Sequence, residues 1–381
     1  MQLSIIILNY NVRYFLELCV HSVQNAIQNS DAEIIVIDNN SQDDSCSMMK
    51  QRFPNVKLIE NKENLGFPKG NNIGVEIAKG EYICILNPDT VVSEDTFTKV
   101  LAFAKNQEDL GIIGVKLIDG TGNFLPESKR GIPTPFVAFT KITGLYKIFP
   151  KTFGKYYAQY LSANETGKVE ILVGAFMLMK RDLYTEIGGF DENCFMYSDD
   201  IDLSYMVLQK GKSNFYFHET SVIHYKGEST VKDGIYMKRN QQAMNFFFKK
   251  HFRVSFFFTV FMRLGIVFFS MVKLFQGKPK PKSDPDNYIL ISNDENLRVK
   301  LEHQFGKRVE MQDLLILKNS TATEIIFDQN YLNFTTIINA LEANKNKGFT
   351  FKIIPKSSPF MLGSNSSFDR GEVLKMADFV Y

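Results

Sequence analysis

Asn87-Pro88-Asp89-Thr90 follows the apolar run 82–86, Tyr-Ile-Cys-Ile-Leu, and so places a carboxylate where a buried parallel strand would end. Open α/β sheets bind their ligands outside those carboxyl ends. A hard divalent cation such as Mg²⁺ or Mn²⁺ takes oxygen ligands, commonly one or two carboxylates plus substrate phosphates, which makes Asp89 a candidate metal ligand. A second acidic cluster, Asp199-Asp200-Ile201-Asp202, follows Gly188-Gly189-Phe190-Asp191. One acid to hold a metal and another to take a proton is workable equipment for a transferase. His224, in Ile223-His224-Tyr225-Lys226-Gly227, is a further candidate ligand or a diphosphate contact, because imidazole suits Mn²⁺. A histidine beside a strand is also commonly structural, so both readings stand.

The elements that must position these groups are short apolar runs alternating with helical stretches. Residues 3–8, 33–37, 56–60 and 82–86 read as strands, with helices over 14–29, 45–52 and 70–79, the second capped by Asp43 or Asp44. Strands alternating with helices imply a parallel sheet with covered faces. Residues 120–168 are less regular, rich in Gly, Pro and aromatics, and suit a substrate-side insertion.

Other polar residues fall at the same strand tips. Asn9 and Asn11 end the first strand, and Asp38 ends the second, where its carboxylate can accept from the N3–H of uracil or thymine, or from a ribose hydroxyl. Asp38-Asn39-Asn40-Ser41 also suits a plain strand-to-helix turn. Asn64-Leu65-Gly66-Phe67-Pro68-Lys69-Gly70-Asn71 leads into a helix, whose glycines allow close backbone approach and whose N-terminus favours a phosphate.

These segments together resemble the inverting family 2 glycosyltransferases, and within them the rhamnosyltransferase-like enzymes of bacterial surface polysaccharide assembly. The resemblance rests on Ser4-Ile5-Ile6-Ile7-Leu8-Asn9-Tyr10-Asn11, Val36-Ile37-Asp38-Asn39-Asn40-Ser41, Asn64-Leu65-Gly66-Phe67, Gly70-Asn71-Asn72 and Leu86-Asn87-Pro88-Asp89, and resumes at Gly174-Ala175-Phe176-Met177, residues 188–202 and His224-Tyr225-Lys226-Gly227. It implies an α/β fold of the nucleotide-diphospho-sugar transferase (GT-A) type, a UDP- or dTDP-linked sugar donor, a divalent metal at Asp89 and His224, and donor contacts from Asn9, Asn11, Asp38, Asn64, Gly66 and Asn71. It further implies that Asp200, the second acid of its pair, is the general base, with Asp199 and Asp202 on the acceptor side. Crowded carboxylates raise one another's pKa toward the useful range, while the same acids also suit a helix N-terminal cap. Where relatives often have an Arg after Asp-Leu-Ser-Tyr, this chain has Met206, so a supporting cation is absent or comes from elsewhere.

Bulk composition bounds the rest. A chain of 381 residues favours two domains, and 44% hydrophobic with 23% charged residues is ordinary for a globular protein. A net charge of +2 gives no case for nucleic acid. Four cysteines without C-x-x-C spacing read as free thiols in a reducing cytoplasm, and no secretory signal opens the chain. Residues 251–275 carry two apolar stretches of nine residues split by Arg263, short of the roughly 20 that a spanning helix needs. Arg253, Arg263 and Lys273 do not share one helical stripe. Lys249, Lys250, Arg253 and Lys278-Pro279-Lys280-Pro281-Lys282 flank the segment with positive charge, which favours the inner face of the membrane and a lipid-linked saccharide acceptor over a plain core helix. The division expected is a catalytic domain over 1–250, a hydrophobic segment and Lys/Pro linker over 251–285, and a small α/β domain over 286–381. In that tail 288–291, 314–317, 324–327 and 349–354 read as strands, and 295–305 and 333–344 as helices. The tail faintly resembles the nucleotide-binding-like domain of bacterial polyprenyl-phosphate sugar transferases. Two rivals remain: a nucleotidyltransferase, which needs a basic, glycine-rich loop after the first strand, and a degenerate sugar-nucleotide binding module.

Overall fold

The computed structural model describes residues 1–134, 136–137, 154–226, 234–252, 285–313, 322–365 and 371–376. The apolar stretches over 254–262 and 264–272, the Lys/Pro run and the strand expected over 314–317 lie outside the described residues. Among the described residues no helix is long and apolar enough to cross a membrane.

The first unit alternates as expected: β1 (Leu3–Asn9), α1 (Arg13–Ile27), β2 (Ala32–Asp38), α2 (Ser45–Arg52), β3 (Lys57–Glu60), α3 (Gly66–Glu76) and β4 (Tyr82–Leu86). β5 (Thr90–Val91), α4 (Thr96–Lys105), β6 (Leu110–Ile118), β7 (Gly167–Val169), β8 (Phe176–Lys180), α5 (Arg181–Glu186), α6 (Asp199–Gln209), β9 (Ser213–His224) and α7 (Gly234–His251) follow. The strands form one sheet in the order β3-β2-β1-β4-β8-β6-β9-β5, with β7 on β9. β1, β2, β3 and β4 are parallel. β8 inserts antiparallel between β4 and β6, while β6 and β9 pair in parallel. The sheet is therefore mixed, although its β3-β2-β1-β4 half is parallel as the apolar runs imply.

α3 begins at Gly66 rather than at 70. Pro68 suggests a later start, yet proline is tolerated in a helix's first turn, where its missing N–H would be unpaired anyway. Gly66 itself sits at φ +81°, and a Cβ there would meet the ring and carbonyl oxygen of Phe195 at 2.8 Å. Of the two acids offered as the cap of α2, Asp43 does the bonding, accepting from the Ser45 amide at 3.1 Å and hydroxyl at 2.5 Å.

A second, six-stranded sheet is built from β10 (Asn287–Ile291), α8 (Glu295–Phe305), β11 (Val309–Met311), β12 (Thr323–Asp328), α9 (Phe334–Asn344), β13 (Phe349–Ile354), β14 (Phe360–Gly363) and β15 (Glu372–Lys375), in the order β11-β10-β12-β13-β14-β15. It shares a core with the first unit, where Val12, Phe15, Leu18, Ile118 and Ile223 pack with Ile289, Phe327, Phe334 and Leu362. Polar contacts fix the docking: Lys116 and Ser221 hold Glu342 at 2.7 and 2.8 Å, and Glu94 accepts from the amides of Phe334 and Thr335 at 2.8 Å. Those amides are first-turn donors of α9 that the helix itself cannot satisfy, so the first unit caps a helix of the second.

Replacing Glu94 with Ala strands those donors and removes a carboxylate from a helix N-terminus, a cost of about 1 kcal/mol. Denaturant unfolding of the full chain should show this loss, and an unchanged midpoint would argue against the cross-unit cap.

Candidate functional site

The parallel strands β1, β2 and β4 open at one edge, and the antiparallel sense of β8 brings its leading residues to that edge too. Leu86 faces Phe176, and the Asn87 amide donates to the Ala175 carbonyl at 3.0 Å. β5 pairs antiparallel with the end of β9, setting Thr90 opposite His224. These pairings create a cavity of about 380 Å³, lined among others by Asn39, Asn64, Gly66, Asn87, Arg130, Gly174, Asp199, Asp200 and Lys226. That volume lies within the range of small-ligand sites.

Asp199 and Asp200 open α6, just after Tyr197 at φ +81°, a left-handed conformation that costs a side-chain-bearing residue strain. Oδ2 of Asp200 accepts from Arg130 Nη2 at 2.5 Å and from the Gly174 amide at 3.2 Å, and its Oδ1 accepts from the Ile201 amide at 2.7 Å. Asp199 beside it is pushed up from 3.8 to about 7, first by burial and then by the charge of Asp200. The rise expected from crowded acids is thus found at Asp199.

Arg130 was not identified in the sequence. It lies in the irregular region, just beyond a 3-10 turn (Pro126–Ser128) that Lys129 ends. A backbone bridge to Ile171 fixes it, and Asp200 raises its pKa against the opposing effect of burial. Nearby, Lys226 pairs with Glu127; burial pushes that carboxyl up, but Lys226 outweighs it and holds Glu127 below the usual carboxylate range.

Asp202 is placed elsewhere. It is 1% exposed and accepts from Lys250 at 2.8 Å and His251 at 2.5 Å, so it anchors α7 and does not reach the cavity. Lys250 also pairs with Asp191 at 2.7 Å and lies 3.6 Å from Met206 Sδ. Lys250 is thus committed to holding α7 on α6 instead of facing lipid. Phe247 and Phe248 next to it are buried against Ile171 and Ile201.

The donor-side residues divide. Asn64 and Gly66 line the cavity, tied together by the Gly66 amide on Asn64 Oδ1 at 3.0 Å, with Asn39 donating to the Gly66 carbonyl at 3.1 Å. Asn9 and Asp38 are buried behind it. Asn9 donates to Asp38 Oδ1 at 2.7 Å, and the Ser41 amide takes Asp38 Oδ2 at 2.8 Å, so both carboxylate oxygens already serve the turn. Asn11 accepts from the Gln42 amide at 2.6 Å and holds the same turn. Asn71 is fully buried and donates to the Phe67 carbonyl at 2.9 Å inside α3. Asn9, Asn11, Asp38 and Asn71 thus shape the donor edge rather than line it.

Asp89 and His224 are brought together, Oδ1 to Nε2, at 3.4 Å. Asp89 Oδ1, His224 Nδ1 and Asn87 Oδ1 are buried without a hydrogen-bond partner. An unpaired buried carboxylate oxygen is costly, and a hard cation placed between Asp89 Oδ1 and His224 Nε2 and finished by substrate phosphates would satisfy it. The pair therefore fits Mg²⁺ or Mn²⁺, although no group of three or more His, Cys, Asp or Glu converges among the described residues.

Residues 4–188 match the family described as Glycosyl transferase family 2. The chain is 27% identical over 214 residues to an N-acetylglucosaminyl-diphospho-decaprenol L-rhamnosyltransferase of Mycobacterium tuberculosis, covering 52% of this chain and 68% of that one. It is 27% identical over 271 residues to a poly(ribitol-phosphate) beta-glucosyltransferase of Bacillus spizizenii, covering 67% of this chain and 41% of that longer protein. A mannosyltransferase from Pyrobaculum calidifontis, solved with GDP-Man and Mn²⁺, superposes with a TM-score of 0.46 at 19% identity, covering 67% of this chain and 65% of that one.

Asp199 ionises near 7 in the folded chain and near its ordinary 3.8 when unfolded, so between those values the folded state holds the extra proton. Its contribution to stability is complete below the lower value and is lost as pH rises through the upper one. Thermal melting at pH 5 and pH 8 should show a smaller alkaline loss in Asp199→Asn than in wild type; equal losses would refute the buried, protonated carboxyl.

Proposed function

We propose that this chain, a glycosyltransferase carrying the family 2 domain over residues 4–188, moves a sugar from a UDP- or dTDP-linked donor to a hydroxyl of a lipid-linked saccharide in one inverting displacement. The observation that carries the reading is the position of Asp200 in the cavity wall, paired with Arg130 and close to the strand edge that holds Asp89. Asp200 takes the proton of the acceptor hydroxyl as its oxygen forms the new bond at the anomeric carbon. The bond to the diphosphate breaks at the opposite face, and its electron pair leaves with the nucleotide. Asp89 and His224 would hold a divalent cation, which when bound supplies positive charge for the diphosphate. Asn64 takes the Gly66 amide and so shapes the turn that opens α3 at the cavity wall, where the positive end of the helix favours the donor's phosphates.

The lipid-linked acceptor follows from the name of the mycobacterial relative and from the apolar stretches over 254–262 and 264–272. With them goes a peripheral position on the inner face of the cell membrane. We assign residues 1–250 to catalysis, 251–285 to the membrane-facing connection, and 286–381 to a supporting unit. Asn9-Tyr10-Asn11-Val12-Arg13 after β1 lacks the glycines of a nucleotidyltransferase loop, and the assembled Asp200–Arg130 and Asp89–His224 pairs speak against a degenerate binding module.

Asp200→Asn should leave UDP or dTDP affinity nearly intact while turnover falls by ~10²-fold or more, the scale of losing a positioned base. Parallel loss of binding would point to a structural cap instead.

Asp89→Ala should abolish the Mn²⁺ dependence of nucleotide binding in calorimetric titrations with and without the metal. Metal dependence that survives the substitution would remove Asp89 from the metal site.

A further inference from the structure

We infer that Arg130 is the positioning residue of the transfer: it occupies Oδ2 of Asp200 and so leaves Oδ1 as the oxygen that meets the acceptor hydroxyl. The inference rests on Asp200 being the base. Oδ2 is used up by Arg130 Nη2 and the Gly174 amide, whereas Oδ1 accepts from the Ile201 amide alone among the described residues. A carboxylate oxygen has two lone-pair directions, so one on Oδ1 stays available.

The guanidinium is held firmly. Nη2 also donates to the Leu172 carbonyl at 3.0 Å, and the backbone of Arg130 exchanges two hydrogen bonds with Ile171, each 2.9 Å. Its Nε is buried with no hydrogen-bond partner. Leaving such a donor unpaired is unfavourable, so the orientation is set by the grip on Asp200 and Leu172. Both side chains are 12% exposed, which lets the cation act on the carboxylate with little screening by water.

Arg130 also decides the protonation of the pair. Among the described residues, the charged and titratable groups that line the cavity with Asp200 and Arg130 are Asp199, Glu127, Lys226, Tyr10, Tyr156 and Tyr197, and Lys226 is already paired with Glu127. Without Arg130, Asp200 stands beside Asp199 with no counter-charge, so the carboxylate that must accept the acceptor proton is held in its charged form less well. The cation comes from a different loop than the α6 position occupied by Met206, so this chain assembles its base from segments seventy residues apart in sequence.

The test is a pH titration of carboxyl ¹³C shifts in Asp-labelled full-length protein, with thermal melting and UDP calorimetry as controls for folding. In Arg130→Gln the upper midpoint of the Asp199–Asp200 pair should rise by about one unit or more, and the acid limb of kcat/KM on the UDP- or dTDP-sugar that is turned over should move with it. A folded Arg130→Gln with an unmoved midpoint overturns the inference. Should that variant fail to fold, Arg130→Lys decides. Its ammonium keeps the charge but loses the planar grip on Asp200 and Leu172, so the midpoint should stay while kcat drops on the order of tenfold at unchanged donor KM. Unchanged kcat in that variant also overturns it. Asp200→Asn separates the two ideas: wild-type turnover there removes the base itself, whereas an inactive Asp200→Asn with an unmoved midpoint in Arg130→Gln removes only the part assigned to Arg130.

Discussion

One turn of helix carries three buried carboxylates, Asp199, Asp200 and Asp202, and protein interiors admit such charge only when each is paired or neutralised. Each acid is handled differently. Asp200 takes Arg130, Asp202 takes Lys250 and His251, and Asp199 keeps its proton up to about 7. The N-terminus of α6 adds a favourable field for all three. The position of the segment around residue 130 and the seating of α7 against α6 both follow from this need for counter-charge.

The same constraint recurs where the two units meet. Glu17 on α1 is fully buried, and burial raises its carboxyl even though Arg13, Arg52 and Ser358 oppose the rise. Arg52 reaches its Oε1 at 2.5 Å and Ser358 donates to the same oxygen at 2.9 Å, so a loop of the second unit shares in holding a carboxylate of the first unit's helix layer. α1 begins directly after the Asn9-Tyr10-Asn11 turn at the donor edge, and Tyr14 in its first turn packs edge-on against Phe360 at 4.7 Å. The second unit therefore packs against the helix that follows the turn after β1.

Asp89 and His224 show how topology brings distant residues together. The short antiparallel pairing of β5 with the last residues of β9 sets them 3.4 Å apart, and the Tyr225 amide on the Asp89 carbonyl at 3.0 Å locks the register.

Much of this was legible in the residues themselves. Unalternating apolar runs identified β1, β2 and β4, because strands covered on both faces need no polar alternation. The acids at Asp89 and Asp200 stood out because turns and helix starts place them at strand and helix ends. Local pattern does not report partners, however. The antiparallel β8, with its Phe-Met-Leu-Met run, reads equally as helix or strand until β4 and β6 take it up. Asp38 and Asn71 carry the right side chains, yet tertiary packing turns them inward to hold turns. Arg130 has no periodic or motif signal, since its role exists only once the β-bridge to Ile171 brings it to α6. Sequence by itself determined the class of chemistry and the strand tips that display it, because residue type and element ends are local properties. Only the tertiary structure decided which acid is paired, which is protonated and which is buried as an anchor, because the energy of a charge is set by neighbours that the chain order does not reveal.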